Sequence, residues 1–321
     1  MMNGGAIVSK MSARGRSNRL PRSGKRLTLG KALPYLYLLP ALLSIGYWIY
    51  RPLVSTFQLS FYEWNMLPMS PKTFVGWSNF AKLFALPEMG KALLNTLIYT
   101  VGVLPFSLLL PLVIAILTDR IGGRARNLYR ALIFVPMIMA PVAVSSVWSW
   151  MLNPMGGIVN QTLRTVFGME EPIRFFTDAN WAIWSITFIT GWKLIGFSTL
   201  IFSAALTGIN KEYVEAARMD RAGPWQILRY VLLPLLSPTI LFMTMLSVLF
   251  ASEWSFSYVN VLTQGGPLGS TTNLYYVLWT YGFKTFAVGW SSAAAVLVFV
   301  GSGLVALGQM KLSSRLSFYD N

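Results

Sequence analysis

The chain has 321 residues, 55% of them hydrophobic and only 12% charged, with a formal net charge of +15. Soluble domains carry about 25% charged residues, so this chain cannot clothe a soluble surface, and a bilayer is the solvent its composition fits. It has neither cysteine nor histidine, which excludes disulfides, thiolate zinc sites and Cys- or His-based catalysis.

Residues 1–30 are rich in Ser, Gly, Arg and Lys, and we expect them to form a disordered basic tail. They lack the continuous apolar stretch of a cleaved signal peptide. From residue 31 to residue 321 the chain reads as one transmembrane domain. A bilayer core about 30 Å thick needs roughly 20 apolar residues of helix. Residues 32–50, 92–118, 131–163 and 285–310 are free of charge, Lys193 alone interrupts residues 179–210, and Glu253 alone interrupts residues 230–283. This predicts six transmembrane helices, centred near residues 46, 105, 141, 194, 248 and 298. The runs are uniformly apolar and too long for the alternating strands of a barrel, so the fold class is all-α and polytopic.

Basic residues set the orientation. Eighteen fall in the N-terminal tail, around Arg120–Arg130, in the stretch from Lys211 to Arg229 and near the C-terminus, against seven in the opposite connections. Both termini are therefore expected in the cytoplasm. The positive charge is then a matter of topology and of contact with anionic membrane lipid, not of nucleic acid binding. Trp148, Trp150, Trp181 and Trp184 read as membrane-interface anchors. Residues 153–168 read as an outer turn followed by a short interfacial helix.

A dense polar stretch, "EYVEAARMDRAGPWQILRYVLLPLL", separates the fourth and fifth spans. Asn210 suits a helix N-cap and Glu212 the first turn, where the helix dipole favours an anion. Gly223 and Pro224 are expected to break this helix and start another. The loop, at about residues 208–234, is thus predicted to be two short cytoplasmic helices joined by a turn.

These residues resemble the EAA signature of binding-protein-dependent ABC importer permeases: Glu215, Ala216 and Ala217, followed by Asp220, Ala222, Val231, Leu233 and Pro234. The family pattern places a glycine where this chain has Arg221, with Gly223 two residues later. "VLTQGGP" at residues 261–267, "PYLYLLPALL" at residues 34–43 and "FVGWSNFAKLF" at residues 74–84 are similar to the carbohydrate-type subfamily. The resemblance implies a MetI-like permease of a glycerol-phosphate or sugar importer in the bacterial cytoplasmic membrane. It implies a second permease, two copies of a cytoplasmic ATPase and an extracytoplasmic solute-binding protein as partners. It also makes Glu215, Ala216, Ala217, Asp220 and Gly223 the ATPase-coupling residues. No G-x-x-x-x-G-K-[ST] occurs in the chain, so ATP and Mg are expected on the partner ATPase, with no cofactor and no catalytic activity here.

Lys193 and Glu253 fall deep in two spans, where an ionisable group costs about 2.5–3.5 kcal/mol and usually faces a cavity or a partner charge. They are either a structural ion pair or part of the solute path. On the path reading, Trp192, Lys193 and Phe197 line the fourth span, while the fifth contributes either the face of Ser252 and Ser255 or that of Glu253, Ser257 and Asn260. Aromatic faces beside hydrogen-bonding groups suit sugars, and a lysine favours an anionic glycerol or sugar compound. The competing class is a self-sufficient secondary transporter coupled to ions through Lys193 and Glu253, which predicts inverted repeats; the two halves show no such self-similarity.

Overall fold

The computed structural model describes residues 29–67, 69–119 and 121–316. Almost all of the expected basic tail lies outside them; its last two residues, 29 and 30, already belong to the first helix. The chain divides into two compact units, Met1–Pro52 and Leu53–Asn321.

In the first unit, α1 (Leu29–Ile45) runs into a wide π turn, Gly46–Tyr50. From residue 34 to residue 50 its apolar side chains are exposed almost all round, as befits a helix solvated by lipid. The expected first span falls here.

In sequence α2 (Arg51–Leu59) follows. The second unit then forms a two-residue antiparallel hairpin, β1 (Tyr62–Glu63) with β2 (Thr73–Phe74), in the register Tyr62 to Phe74 and Glu63 to Thr73. After α3 (Ser78–Phe84), α4 (Pro87–Leu104) and α5 (Leu110–Asp119) join through a wide turn at Pro105–Leu109 into one span of 33 residues. Proline lacks the N–H that would close a regular turn there.

The third expected span is not one straight helix. It is α6 (Gly123–Ile138) and α7 (Pro141–Met151), bent by 97° at Met139 and Ala140. The cause is local: Pro141 has no N–H to donate and pushes the preceding residue to extended backbone. Ala140 indeed has ψ 135 and Met139 ψ 139.

Beyond α8 (Ile158–Phe167), where a short helix was expected, comes α9 (Ala179–Gly208), 30 residues capped by Asp178, whose carboxylate accepts from Asn180 N–H at 2.8 Å. This is the central helix, in contact with α4, α5, α6 and α13. Gly196 sets how closely α9 meets α6, because a Cβ there would strike Ile133 O and lie 2.9 Å from Phe134 Cα. Small residues let helices approach where lipid supplies no hydrophobic drive.

The loop helices α10 (Lys211–Met219), α11 (Pro224–Ile227) and, after a wide turn, α12 (Leu233–Leu235) lead to α13 (Ser237–Tyr258), which ends in the wide turn Val259–Thr263. Then come α14 (Leu274–Trp279) and α15 (Val288–Leu316). Among the described residues, Pro87–Asp119, Ala179–Gly208, Ser237–Thr263 and Val288–Leu312 are long and apolar enough to cross a membrane, and the bent pair passes the same test taken together. Apart from the short β1–β2 hairpin, the molecule is an all-α polytopic membrane protein. Thr96, Thr187, Thr190 and Ser247 return their hydroxyls to the carbonyl four residues back at 2.6–2.8 Å, so these polar groups are not stranded in an apolar solvent.

Candidate functional site

Three regions carry the residues singled out in the sequence: the loop between α9 and α13, a cavity in the middle of the spans, and the segment that follows α13.

The loop forms as its caps dictate. Asn210 Oδ1 accepts from Glu212 N–H at 3.1 Å and starts α10. The helix stops earlier than expected, at Asp220 and Arg221 and not at Gly223. Arg221 takes the left-handed conformation, φ +59, and donates its N–H to Arg218 O at 3.0 Å, while Ala222 N–H donates to Ala217 O at 3.0 Å. This is a Schellman motif, whose left-handed position is usually glycine. The arginine at the expected glycine position therefore adopts the glycine conformation. Gly223 has ordinary extended backbone, φ −71, and its N–H is held by Gln226 Oε1 at 2.7 Å. Pro224 is the first residue of α11. Glu215, Ala216 and Asp220 are exposed and Ala217 and Gly223 half-buried. Beside them Met219 is 85% and Trp225 68% exposed, so the loop displays large apolar side chains.

The cavity holds about 480 Å³ and is walled by Lys193 of α9, Glu253, Trp254, Ser257 and Tyr258 of α13, and Tyr275 of α14, with Pro141 at the helix break. Lys193 is only 8% exposed. Its ammonium donates to Met139 O at 3.1 Å and lies 5.5 Å from the centre of the Trp254 ring. It thus satisfies a carbonyl that the break in the third span leaves without a helical partner. The alternative of a direct ion pair is not realised: among the described residues, no ion pair within 4.0 Å joins Lys193 to Glu253. Both charges instead face the same cavity.

The other sequence-picked residues lie elsewhere. Trp192 packs edge to face on Trp148 at 5.5 Å, and Trp148 on Phe188 at 5.4 Å, so Trp148 has a packing role. Phe197 belongs to an apolar cluster with Ala115, Phe202 and Met243. Ser255 faces the segment after α13: Asn273 Nδ2 donates to Ser255 Oγ at 2.9 Å and to the backbone carbonyl of Ser252 at 3.0 Å. Of the two possible faces of α13, the one with Glu253 and Ser257 borders the cavity. Sequence reasoning missed Trp254, Tyr258, Tyr275 and the break; the five-residue spacing of Pro136 and Pro141 was the available signal.

The segment around "TQGGP" is a scaffold. Asn95 of α4 donates to Gly269 O at 3.0 Å and Thr272 O at 2.9 Å, and Tyr99 donates to Thr271 O at 3.0 Å. Thr272 Oγ1 donates to Gly265 O at 3.0 Å and Tyr276 to Gln264 O at 2.8 Å. Gly265, at φ +82, admits no side chain, since a Cβ would lie 2.7 Å from Thr272 Oγ1 and 2.8 Å from Tyr276 Cε1. These bonds tie the far end of α13 to the near end of α4, and the loop of α10 and α11 sits at the other end of α13.

Comparison with known proteins bears on the fold and the family. The profile of the family described as "Binding-protein-dependent transport system inner membrane component" matches residues 84–316. The sn-glycerol-3-phosphate transport system permease protein UgpA of Pectobacterium atrosepticum is 30% identical over 83% of this chain and 88% of its own. The lactose transport system permease protein LacF of Rhizobium radiobacter is 30% identical over 82% of this chain and 87% of its own. Among solved structures, a bacterial alginate ABC transporter in complex with a pentasaccharide-bound periplasmic protein has a similar fold, with a TM-score of 0.77 at 22% identity, covering 90% of this chain and 96% of that one. The chain belongs to the family of inner-membrane permease components of binding-protein-dependent ABC importers.

Proposed function

We propose that this permease carries a sugar or sugar derivative through the cavity between α9 and α13, and that the α10–α11 loop receives the drive from a partner ATPase. The observation that carries the reading is the cavity itself. A buried cation, a carboxylate, a tryptophan, two tyrosines and a serine converge there, supplying the aromatic faces and hydrogen-bonding groups that a polyhydroxylated solute matches. UgpA and LacF are named for sn-glycerol 3-phosphate and lactose, which supports this class. Lys193 favours an anionic glycerol or sugar compound within it.

Glu215, Ala216, Ala217, Asp220 and Gly223 are the coupling residues of this reading. The small alanines and the exposed Met219 and Trp225 beside them make a surface that another protein can cover. Partners are a second permease, two copies of an ATPase that holds ATP and Mg, and an extracytoplasmic solute-binding protein, with both termini in the cytoplasm. The alginate transporter of this fold, solved with its periplasmic protein, supports the last partner.

The native chain has no cysteine, so the path can be tested with a single one. With Glu253→Cys in the assembled transporter, bound solute should slow modification by a small thiol reagent several-fold. An unchanged rate at saturating solute would remove the cavity from the path.

A further inference from the structure

A second cavity, of about 370 Å³, lies outside the described path. It is built where the β1–β2 hairpin meets α3 and the start of α15, at the same end of the spans as the scaffold after α13 and opposite the α10–α11 loop. Trp64 and Trp290 are half-buried in its wall, and Glu63, Asn65, Ser70 and Thr73 add a carboxylate, an amide and two hydroxyls.

The walls are fixed. Asn79 is fully buried; its Nδ2 donates to Ser60 O at 2.9 Å and Tyr62 O at 3.0 Å, pinning the hairpin to α3. Its Oδ1 remains a buried acceptor with no partner among the described residues. Val288 N–H donates to Trp64 O at 3.1 Å and so joins the hairpin to α15. Phe286 lines the cavity in the left-handed region, φ +56, a conformation that a bulky side chain holds only when its surroundings enforce it. Lys72 lies 4.1 Å from the Trp64 ring centre, and Lys82 pairs with Glu63 at 3.5 Å. Lys82 thereby offsets Glu63, the one charged residue of the lining, to which Lys72 does not belong, and the lining suits a neutral ligand.

We infer that this cavity binds a neutral saccharide at the outer face of the permease, as a site separate from the intramembrane cavity and from the preference that Lys193 sets there. Tryptophan faces match the C–H faces of a pyranose, and the amide, hydroxyl and carboxylate groups match its hydroxyls. The volume lies at the small end of ligand pockets, about 300–1,000 Å³, and fits one or two sugar rings. The inference rests on the reading of the protein as a sugar-type permease.

The test places one cysteine at Ser70 in the full chain in lipid nanodiscs and measures its modification rate with lactose or glucose as probe. Either sugar should slow the reaction at least threefold, and Trp290→Leu should abolish that protection. Asn65→Ala, on the exposed hairpin loop, should weaken it if Trp290→Leu fails to fold. An unchanged rate with both sugars, or protection that survives both substitutions, overturns the inference. Cysteine at Glu253 reports the other cavity independently, so failure here and failure of the proposed path are separate results.

Discussion

Arg221 is the residue whose chemistry most opposes its place. A left-handed backbone costs a non-glycine residue about 1–2 kcal/mol, and the chain accepts this where the signature that its loop resembles has glycine. Arg221→Gly should therefore stabilise the α10 terminus by about 1 kcal/mol, read as a higher melting temperature in detergent. A lower one would mean that the guanidinium makes a compensating contact. Lys193 has two tasks, holding Met139 O and facing the cavity. Lys193→Met leaves that carbonyl unpaired and removes the positive charge. If the solute is anionic, its KM should rise at least tenfold, about 1.4 kcal/mol; an unchanged KM for sn-glycerol 3-phosphate would rule out the role in anion selection.

Among the elements, contact between α9 and α6 depends on Gly196. Gly196→Leu should prevent the two backbones from meeting and abolish stable membrane expression, whereas Gly208→Ala, with nothing within 4 Å of its added Cβ, should be tolerated. Outside the spans, Tyr281 donates to Glu88 Oε1 at 2.8 Å. Burial, then the hydrogen bond and charge of Glu88, push its hydroxyl from 10.0 up to about 12. Because the folded value is the higher one, its contribution is complete below pH 10 and is lost as the pH rises towards 12. Tyr281→Phe should remove one tyrosine's share from the late-titrating tyrosinate absorbance and leave the rest. The long spans and the Asn210 cap of the loop were legible because apolar length and N-capping chemistry are local. The break at Met139 was harder to see, since the two prolines sit in an unbroken apolar run. The faces of α13 could not be read at all: Asn273, which bonds the Ser252 carbonyl and the Ser255 hydroxyl, lies 21 and 18 residues away in sequence.

At the scale of the whole molecule, one end of α13 is locked by Asn95, Tyr99 and Asn273 while the other continues into an exposed helical loop. The cavity lies between them, beside a broken span. A load applied at the loop would act across the cavity against the hydrogen-bonded segment at the far end of α13, an arrangement suited to moving one end against the other. The resemblance of the loop was legible from the spacing of Glu215 to Pro234, but the location of the helix stop needed the backbone of Arg221. The most direct measurement is solute uptake and solute-stimulated ATP hydrolysis in proteoliposomes holding the complete importer, compared with Glu215→Lys. The account expects the variant to insert and fold normally yet lose both activities; full uptake by Glu215→Lys would contradict it.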